Sequence, residues 1–252
     1  MERLRGVEAM PSEETIQREY YERTAHQYDA AHVADGDEHA IALKYISTFV
    51  DALRIGSALD VGCGTGRGLK YLARRNPSML LHGVEPVGEL VRQAIDGNSI
   101  SPESITKANG ERLPFEDGAF EAAFECGVLH HAKRPRQVVR EMMRVATKAI
   151  FLSDENRFAH GSAISRWGKM ILWQSGLFGV AYKLKTLGKG YRFSEGDGLA
   201  YSYSVFDCAE MLGEWADRVI VIPLDPSNRN SVFQPVMTCF HVLLCAVRDR
   251  EL

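Results

Sequence analysis

The stretch ALDVGCGTGRG at positions 58–68 constrains the fold more than any other part of the sequence. Four glycines at alternate positions follow a short apolar run, and a helical pattern begins directly after them. Because glycine has no Cβ, the backbone N–H groups of such a strand-to-helix turn can approach a ligand closely. The alternative interpretation is a glycine-rich turn that is needed only for packing.

The glycine turn does not fit the pattern of a dinucleotide-binding site, which is G-x-G-x-x-G. Counted from each of the first three glycines, the sixth position holds Arg, Leu or Tyr instead of glycine. A dinucleotide is therefore not the expected ligand.

Short apolar runs alternate with amphipathic helical patterns, which predicts a mostly parallel α/β sheet with helices on both faces. Strands are predicted at 57–61, 80–85, 104–108, 120–126, 149–152, 219–222 and 240–247. Helices are predicted at 12–32, 68–75, 87–96, 135–146 and 206–216. No helical pattern separates the last two strands, so we expect them to form an antiparallel pair at the sheet edge.

The length of 252 residues and a hydrophobic content of 45% favour a single domain over residues 1–252. Within it we distinguish an N-terminal helical cap at 12–50 and a ligand-binding core at 57–152. Residues 157–203 are too long for an ordinary connection and are rich in glycine and aromatic residues, which predicts an inserted lid. A C-terminal helix and strands follow at 206–252.

Charge and composition narrow the possible partners. The net charge of −3 gives no global positive field, so we expect no nucleic-acid partner.

The N-terminus has no apolar signal region, and no run of 18 apolar residues is present, which predicts a cytoplasmic protein without a transmembrane segment. Five cysteines without zinc-ligand spacing indicate reduced thiols, so neither a metal nor a disulfide is expected.

Three further motifs follow the ends of predicted strands. Glu85 ends the second strand, where a carboxylate can accept both hydroxyls of a ribose. The sequence NGERLPF at 109–115 follows the third strand, and ECGVLHH at 125–131 ends the fourth. Because ligands of open parallel sheets bind outside the carboxyl ends of the strands, these motifs predict one connected site.

Taken in order, these four motifs resemble those of the class I S-adenosylmethionine-dependent methyltransferases, especially the members that act on small molecules. The resemblance covers residues 20–152 well and the final strands in outline. It implies a Rossmann-like sheet with an antiparallel C-terminal edge, S-adenosylmethionine as the cofactor and S-adenosylhomocysteine as the product. The acceptor is expected to be a small molecule.

The resemblance also implies the cofactor-binding residues. The glycine turn would hold the methionyl part, Glu85 the ribose, Pro86 would lie beside the adenine, and Asn109 stands where many relatives have Asp. Cys126 would line the wall and is not expected to be a nucleophile, because transfer from a sulfonium needs no covalent enzyme intermediate. The predicted cofactor-binding residues are Tyr20, Tyr28, Asp60, Gly62, Cys63, Gly64, Thr65, Gly66, Glu85, Pro86, Asn109, Gly110, Glu111, Cys126 and Gly127.

Two tyrosines of the N-terminal helix, Tyr20 and Tyr28, belong to this set. In relatives this helix folds over the cofactor, so that the phenol of Tyr20 or Tyr28 could contact it. Of the two, Tyr20 is preferred. The alternative is aromatic packing within the cap.

Catalysis requires alignment of an acceptor and, for a hydroxyl acceptor, removal of a proton. His130 and His131 follow the fourth strand, and Asp154 follows the fifth. We expect a histidine supported by a carboxylate to be the general base, with His131 preferred over His130 and Asp154 as its partner. The alternative is that a histidine only braces the loop.

The segment 153–207 resembles that of bacterial methyltransferases associated with sugar or polysaccharide biosynthesis. Its tyrosines, together with Asn156, Arg157, Glu195 and Asp197, suit a polyol, which predicts a sugar or glycan hydroxyl as the acceptor. A quinone or lipid C-methyltransferase and a non-catalytic cofactor-binding protein are the alternatives. The apolar stretch 170–182 is expected to cover the substrate, with membrane contact or subunit pairing as alternatives.

Overall fold

The computed structural model describes residues 12–225 and 236–248. The other parts of the predicted domain, residues 1–11, 226–235 and 249–252, lie outside the described residues. A seven-stranded sheet in the order β3-β2-β1-β4-β5-β9-β8 forms the centre, and β6 and β7 form a separate hairpin. The strands are β1 Ser57–Val61, β2 Leu80–Val84, β3 Ile105–Thr106, β4 Phe120–Cys126, β5 Ala146–Glu155, β6 Tyr191–Ser194, β7 Gly198–Tyr201, β8 Arg218–Pro223 and β9 His241–Val247.

The pairing of the strands confirms the predicted sheet class. Strands β1 to β5 pair in parallel, and β9 is antiparallel to both β5 and β8. β5 is longer than the predicted 149–152, because it pairs with β9 from Ala149 to Glu155 as well as with β4. β3 is shorter than predicted, since at the sheet edge only β2 pairs with it.

Nine α-helices surround the sheet in the described part of the chain. They are α1 Glu13–Thr24, α2 Tyr28–His32, α3 Glu38–Ala52, α4 Arg67–Arg75, α5 Gly88–Arg92, α6 Pro135–Val145, α7 Ala163–Gln174, α8 Phe178–Lys185 and α9 Ala209–Trp215. The helix predicted at 12–32 is interrupted by a 3₁₀ turn at Ala25–Gln27. Side chains cap the N-termini of α1 and α3. The Ser12 hydroxyl accepts the N–H of Thr15 at 3.1 Å, and the Asp37 carboxylate accepts the N–H of Ala40 at 2.7 Å.

The core lies on both faces of the sheet. Along β5, Ile150 and Leu152 belong to the cluster packed with α6 and α9, whereas Phe151 belongs to the cluster packed with α3. Successive strand residues point to opposite faces, so a central strand that is apolar at every position buries both faces. This rigid sheet fixes the positions of the loops at its carboxyl end.

The lid segment, residues 157–203, contains α7, α8 and the β6–β7 hairpin. The hairpin packs against α1: the Tyr20 hydroxyl donates to the carbonyl oxygen of Glu195 at 2.9 Å, and the Tyr201 hydroxyl donates to Glu13 at 2.8 Å. The backbone oxygen of Leu199 lies 2.7 Å from His131 Nδ1. The hairpin therefore lies over the loop that follows β4. Within the described ranges, every helix is too short or too polar to cross a bilayer.

Candidate active site

Two cavities lie at the carboxyl ends of the central strands. The Glu85 cavity has a volume of about 300 Å³ and is lined by Glu85, Pro86, Asn109 and their neighbours. The Asp60 cavity has a volume of about 410 Å³ and extends from Asp60 under the cap helices. The two cavities share six lining residues: Tyr21, Tyr28, Gly62, Cys126, Gly127 and His131. They therefore form one connected site, as the strand-end motifs predict.

The glycine turn has two roles: it packs closely against neighbouring side chains, and its backbone lines the cavities. Gly62 has φ +76°, and a Cβ there would lie 2.5 Å from Val128 Cγ2. Gly66 has φ +84°, and a Cβ there would lie 2.7 Å from Ile100 Cγ1. Both positions need glycine for conformation and space, while the turn's backbone lines the cavities at Gly62 and Gly64.

Glu85 is buried and joins β2 to the glycine turn. One carboxyl oxygen accepts the N–H of Gly64 at 3.0 Å, and the other accepts the N–H of Val87 at 2.9 Å. Burial raises the pKa of Glu85 to about 7, although these two N–H donors act in the opposite direction. Each oxygen keeps a lone pair for a further donor in the cavity.

The remainder of the Glu85 cavity combines apolar and polar walls. Pro86, Val87 and Leu90 form an apolar side, and Asn109 and Gly110 lie among its other lining residues. The side-chain oxygen of Asn109 accepts the N–H of Glu111 at 2.9 Å, and Glu111 also lines the cavity. This bond holds the Asn109 side chain in place through its oxygen and leaves the NH₂ group able to donate to another acceptor.

The Asp60 cavity begins at the residues predicted to hold the methionyl part. Asp60, Cys63 and Thr65 line it. Burial, and then the charge of Glu85, raise the pKa of the Asp60 carboxyl well above its usual value. Burial also raises the pKa of the Cys126 thiol well above its usual value, which disfavours the thiolate that a nucleophile would need.

The structure places Tyr28 at the site but not Tyr20. Tyr21 and Tyr28 line both cavities, and their ring centroids are 5.8 Å apart. Tyr20 lines neither cavity, because its ring packs on Phe193 under the hairpin and its hydroxyl is bonded to a backbone carbonyl. The preference for Tyr20 is therefore replaced by Tyr21, which the sequence does not single out because the 3₁₀ turn Ala25–Gln27 breaks the helical repeat between Tyr21 and Tyr28.

Asp154 pairs with His130, not with the preferred His131. Asp154 Oδ1 lies 2.7 Å from His130 Nδ1, and Oδ2 accepts the N–H of Leu129 at 2.7 Å. Burial alone would raise the pKa of Asp154, but His130 lowers it to about 2. In the 3₁₀ turn Leu129–His131, Nδ1 of His130 faces Asp154 whereas Nδ1 of His131 faces the carbonyl oxygen of Leu199, so the pairing of Asp154 with His131 is wrong.

His131 lies where the two cavities meet. Its Nε2 is 3.0 Å from the Tyr21 hydroxyl, and its Nδ1 is 2.7 Å from the carbonyl oxygen of Leu199. An acceptor at Nδ1 means that this nitrogen carries a proton, so Nε2 of the neutral ring can accept from Tyr21. Gln17 lies 3.1 Å from Nδ1 and also bonds the hairpin, where it accepts the N–H of Leu199.

Asp197, from the turn of the hairpin, faces both histidines. Its carboxyl oxygens lie 3.6 Å from His130 Nε2 and 3.4 Å from His131 Nε2. Burial would raise the pKa of Asp197, but the two histidines hold it well below its usual value. For His130 the effects have the opposite signs. Burial would lower its pKa, but the carboxylates of Asp154 and Asp197 hold it well above its usual value.

The same three residues are the candidate metal ligands within the described ranges. His130, His131 and Asp197 each offer one ligand atom, and these atoms lie within 4.8 Å of one another. Sequence reasoning assigned Asp197 only to acceptor binding, because its approach to the histidines depends on how the lid folds.

Other polar residues proposed for the acceptor have internal partners. The Asn156 side chain accepts from the Ser204 hydroxyl at 3.0 Å and donates to the carbonyl of Cys239 at 3.0 Å. Arg157 forms a bidentate ion pair with Asp207. These two residues thus tie the start of the lid segment to Ser204 and Asp207, which follow its end, and to Cys239.

Comparison with known proteins identifies the domain. Residues 59–149 match a family described as a methyltransferase domain. A malonyl-acyl-carrier-protein O-methyltransferase from Herminiimonas arsenicoxydans is 31% identical over 127 residues, which is 50% of this chain and 45% of that protein. A 37.1 kDa protein in transposon TN4556 of Streptomyces fradiae is 38% identical over 109 residues, which is 41% of this chain and 32% of that protein. The chain thus spans less than half the length of these relatives.

A solved structure shares the fold over nearly the whole chain. Magnesium protoporphyrin IX methyltransferase from Synechocystis PCC 6803, with bound S-adenosylhomocysteine, superposes with a TM-score of 0.56 at 16% identity, covering 94% of this chain and 100% of that one. Residues 59–149 are therefore a methyltransferase domain, and the chain as a whole has the fold of a solved methyltransferase structure.

Proposed function

We propose that this protein transfers a methyl group from S-adenosylmethionine to a hydroxyl group of a small polar acceptor, a sugar or glycan precursor. The observation that carries the proposal is the position of the two histidines. His130, paired with buried Asp154, lines the Asp60 cavity, and His131 lies at the junction with the Glu85 cavity.

The residues of the Glu85 cavity fit the cofactor. Glu85 is a buried carboxyl with two lone pairs left for ribose hydroxyls, and Pro86, Val87 and Leu90 provide an apolar wall for the adenine. The backbone of the glycine turn and Asp60 lie on the side of the methionyl part. Tyr21 and Tyr28 would close the site from the cap, as they line both cavities.

The chemistry needs little from the protein beyond alignment and removal of a proton. When bound, the cofactor would supply a methyl group on a sulfonium for transfer to the acceptor oxygen, and the electron pair of the broken C–S bond would remain on sulfur. Nε2 of neutral His130 takes the hydroxyl proton, and Asp154 stabilises the imidazolium that results. His131, held by Tyr21 and Leu199, positions the acceptor at the junction.

The lining of the Asp60 cavity favours a polyol over a quinone. It is dominated by ionisable side chains, which donate and accept hydrogen bonds and would leave polar groups unpaired against an apolar ring. The acidic, basic and histidine residues among them are His32, Asp37, Glu38, His39, Asp60, Arg67, His130, His131, Glu155, Asp197 and His241.

Calorimetric titration with S-adenosylmethionine, and separately with NAD, tests the cofactor, with Glu85→Ala as the variant that should lose binding. A radiolabelled methyl-transfer screen over sugar nucleotides, glycolipid precursors and quinones then tests the acceptor. Adenosylmethionine binding with transfer to a sugar hydroxyl supports the proposal. Transfer only to a quinone, or no turnover with any acceptor, contradicts it.

The same assay repeated with EDTA tests the role of the candidate metal ligands. The proposed base needs no metal, so we expect EDTA to leave turnover unchanged. Loss of turnover that a divalent ion restores would instead assign His130, His131 and Asp197 to a metal centre.

A further inference from the structure

Exposed apolar side chains are concentrated on the lid segment. Of the fourteen large hydrophobic residues that are exposed in the described part of the chain, nine lie between Ile164 and Phe193. On α7 they follow helical spacing, and a second stripe runs along α8 and its flanks. The two stripes are Ile164, Trp167 and Ile171, and Leu177, Val180, Leu184 and Leu187.

In the greater part of the lid segment, up to the turn that carries Glu195 and Asp197, every charged residue is positive. Residues 157–194 contain seven lysines and arginines and no aspartate or glutamate, in a chain of net charge −3. Lys183, Lys185 and Lys189 are exposed, and none of them forms an ion pair within the described residues. The remainder of the chain is therefore net negative, so that an anionic surface attracts residues 157–194 and repels the rest.

A basic cavity opens between the lid helices and the hairpin. It has a volume of about 590 Å³, and its lining includes Lys169, Lys185 and Arg192 beside the aromatic rings of Phe178 and Tyr182. Lys169 also donates to the carbonyl oxygens of Arg157 and His160.

This basic cavity adjoins the reaction site, because Glu155 lines both it and the Asp60 cavity. A phosphate-bearing headgroup held among the cations would thus lie next to the acceptor position.

We propose that α7, α8 and the sequence to Arg192 form a peripheral docking surface for an anionic lipid bilayer. Apolar side chains at helical spacing would enter the interface while the neighbouring lysines contact lipid phosphates. Charge complementarity favours this occupant over a second copy of the chain, since a symmetric pairing would bring the same cationic segments together.

Vesicle co-sedimentation of the full chain tests the docking surface. Wild type should bind vesicles that contain phosphatidylglycerol and bind phosphatidylcholine vesicles at least about tenfold more weakly. Ile171→Asp/Leu184→Asp and Lys183→Glu/Lys185→Glu should each reduce binding by about tenfold or more. Leu80→Asp is the matched control: Leu80 is 74% exposed, like Leu184 at 75%, but lies at the start of β2, at the opposite end of the sheet from the site.

Two results would overturn the proposal. One is equal binding, or no binding, of wild type to both kinds of vesicle. The other is a dimer in solution that the Ile171→Asp/Leu184→Asp variant dissociates while vesicle binding is absent, which would assign the surface to a second copy. Calorimetric titration of each variant with S-adenosylmethionine checks that the variant is folded. Because this titration does not involve vesicles, it also separates a failure of the proposed methyltransferase function from a failure of docking.

Discussion

His130 donates from Nδ1 to Asp154, whose carboxylate lies 2.7 Å away and also accepts the backbone N–H of Leu129. Because His130 lowers the pKa of Asp154 to about 2, the carboxylate is ionised at neutral pH and can only accept. The Nδ1 proton is thereby fixed, and Nε2 is the nitrogen that can exchange a proton with an acceptor in the Asp60 cavity.

Replacing the carboxylate should impair turnover more than binding. We expect Asp154→Asn and His130→Ala each to lower kcat by about a hundredfold, a typical contribution of a general base, with little change in cofactor affinity. Initial rates on a confirmed acceptor, together with calorimetry, measure the two effects. If neither His130→Ala nor His131→Ala lowers turnover tenfold, a histidine base is wrong.

The pH dependence of turnover should report the charge of Asp197. Asp154 and Asp197 hold the pKa of His130 well above its usual value, so the neutral base forms only as the pH rises. Turnover should therefore increase with pH. Asp197→Asn removes one of these charges and should shift the rising limb to lower pH by about one unit. A profile identical to that of wild type would show that Asp197 does not control the base.

Cofactor affinity should depend on the ionisation of Glu85. Burial raises its pKa to about 7 in the ligand-free protein, and ribose hydroxyls that donate to the carboxylate favour the ionised form. Binding then releases a proton, so affinity should fall as the pH decreases below about 7 and level off above it. Calorimetry across pH should show this for wild type but not for Glu85→Gln. The same slope in both would place the titrating group elsewhere.

The glycine turn should be intolerant of a methyl group. Gly66→Ala adds strain at φ +84° and places a Cβ 2.7 Å from Ile100, which should lower the free energy of unfolding by about 1–3 kcal/mol. Gly179→Ala is the control, because Gly179 lies in α8 with open space around its Cβ position, and alanine there should stabilise by up to about 1 kcal/mol. Urea unfolding compares the two, and equal stability would contradict the strain argument.

Sequence reasoning could predict the sheet and the glycine turn because both depend on local periodicity and short motifs. Two assignments failed where the answer depended on orientation. Whether Tyr20 or Tyr21 faces the cavities depends on how α1 packs against the hairpin, and whether His130 or His131 meets Asp154 depends on the 3₁₀ turn that carries them. The approach of Asp197 to the histidines spans 66 residues of sequence and depends on the lid fold, which no local pattern encodes.

The hydrogen bonds between α1 and the hairpin have a kinetic consequence. Gln17 lines the Glu85 cavity, Asp197 lines the Asp60 cavity, and the elements that carry them are joined by the bonds of Glu13, Gln17 and Tyr20. Because these bonds join α1 to the hairpin, we expect the two elements to move together, so that the methylated product and the spent cofactor leave in the same step. If that event is the slow step, rapid-quench experiments should show a burst of the first turnover followed by a slower steady rate.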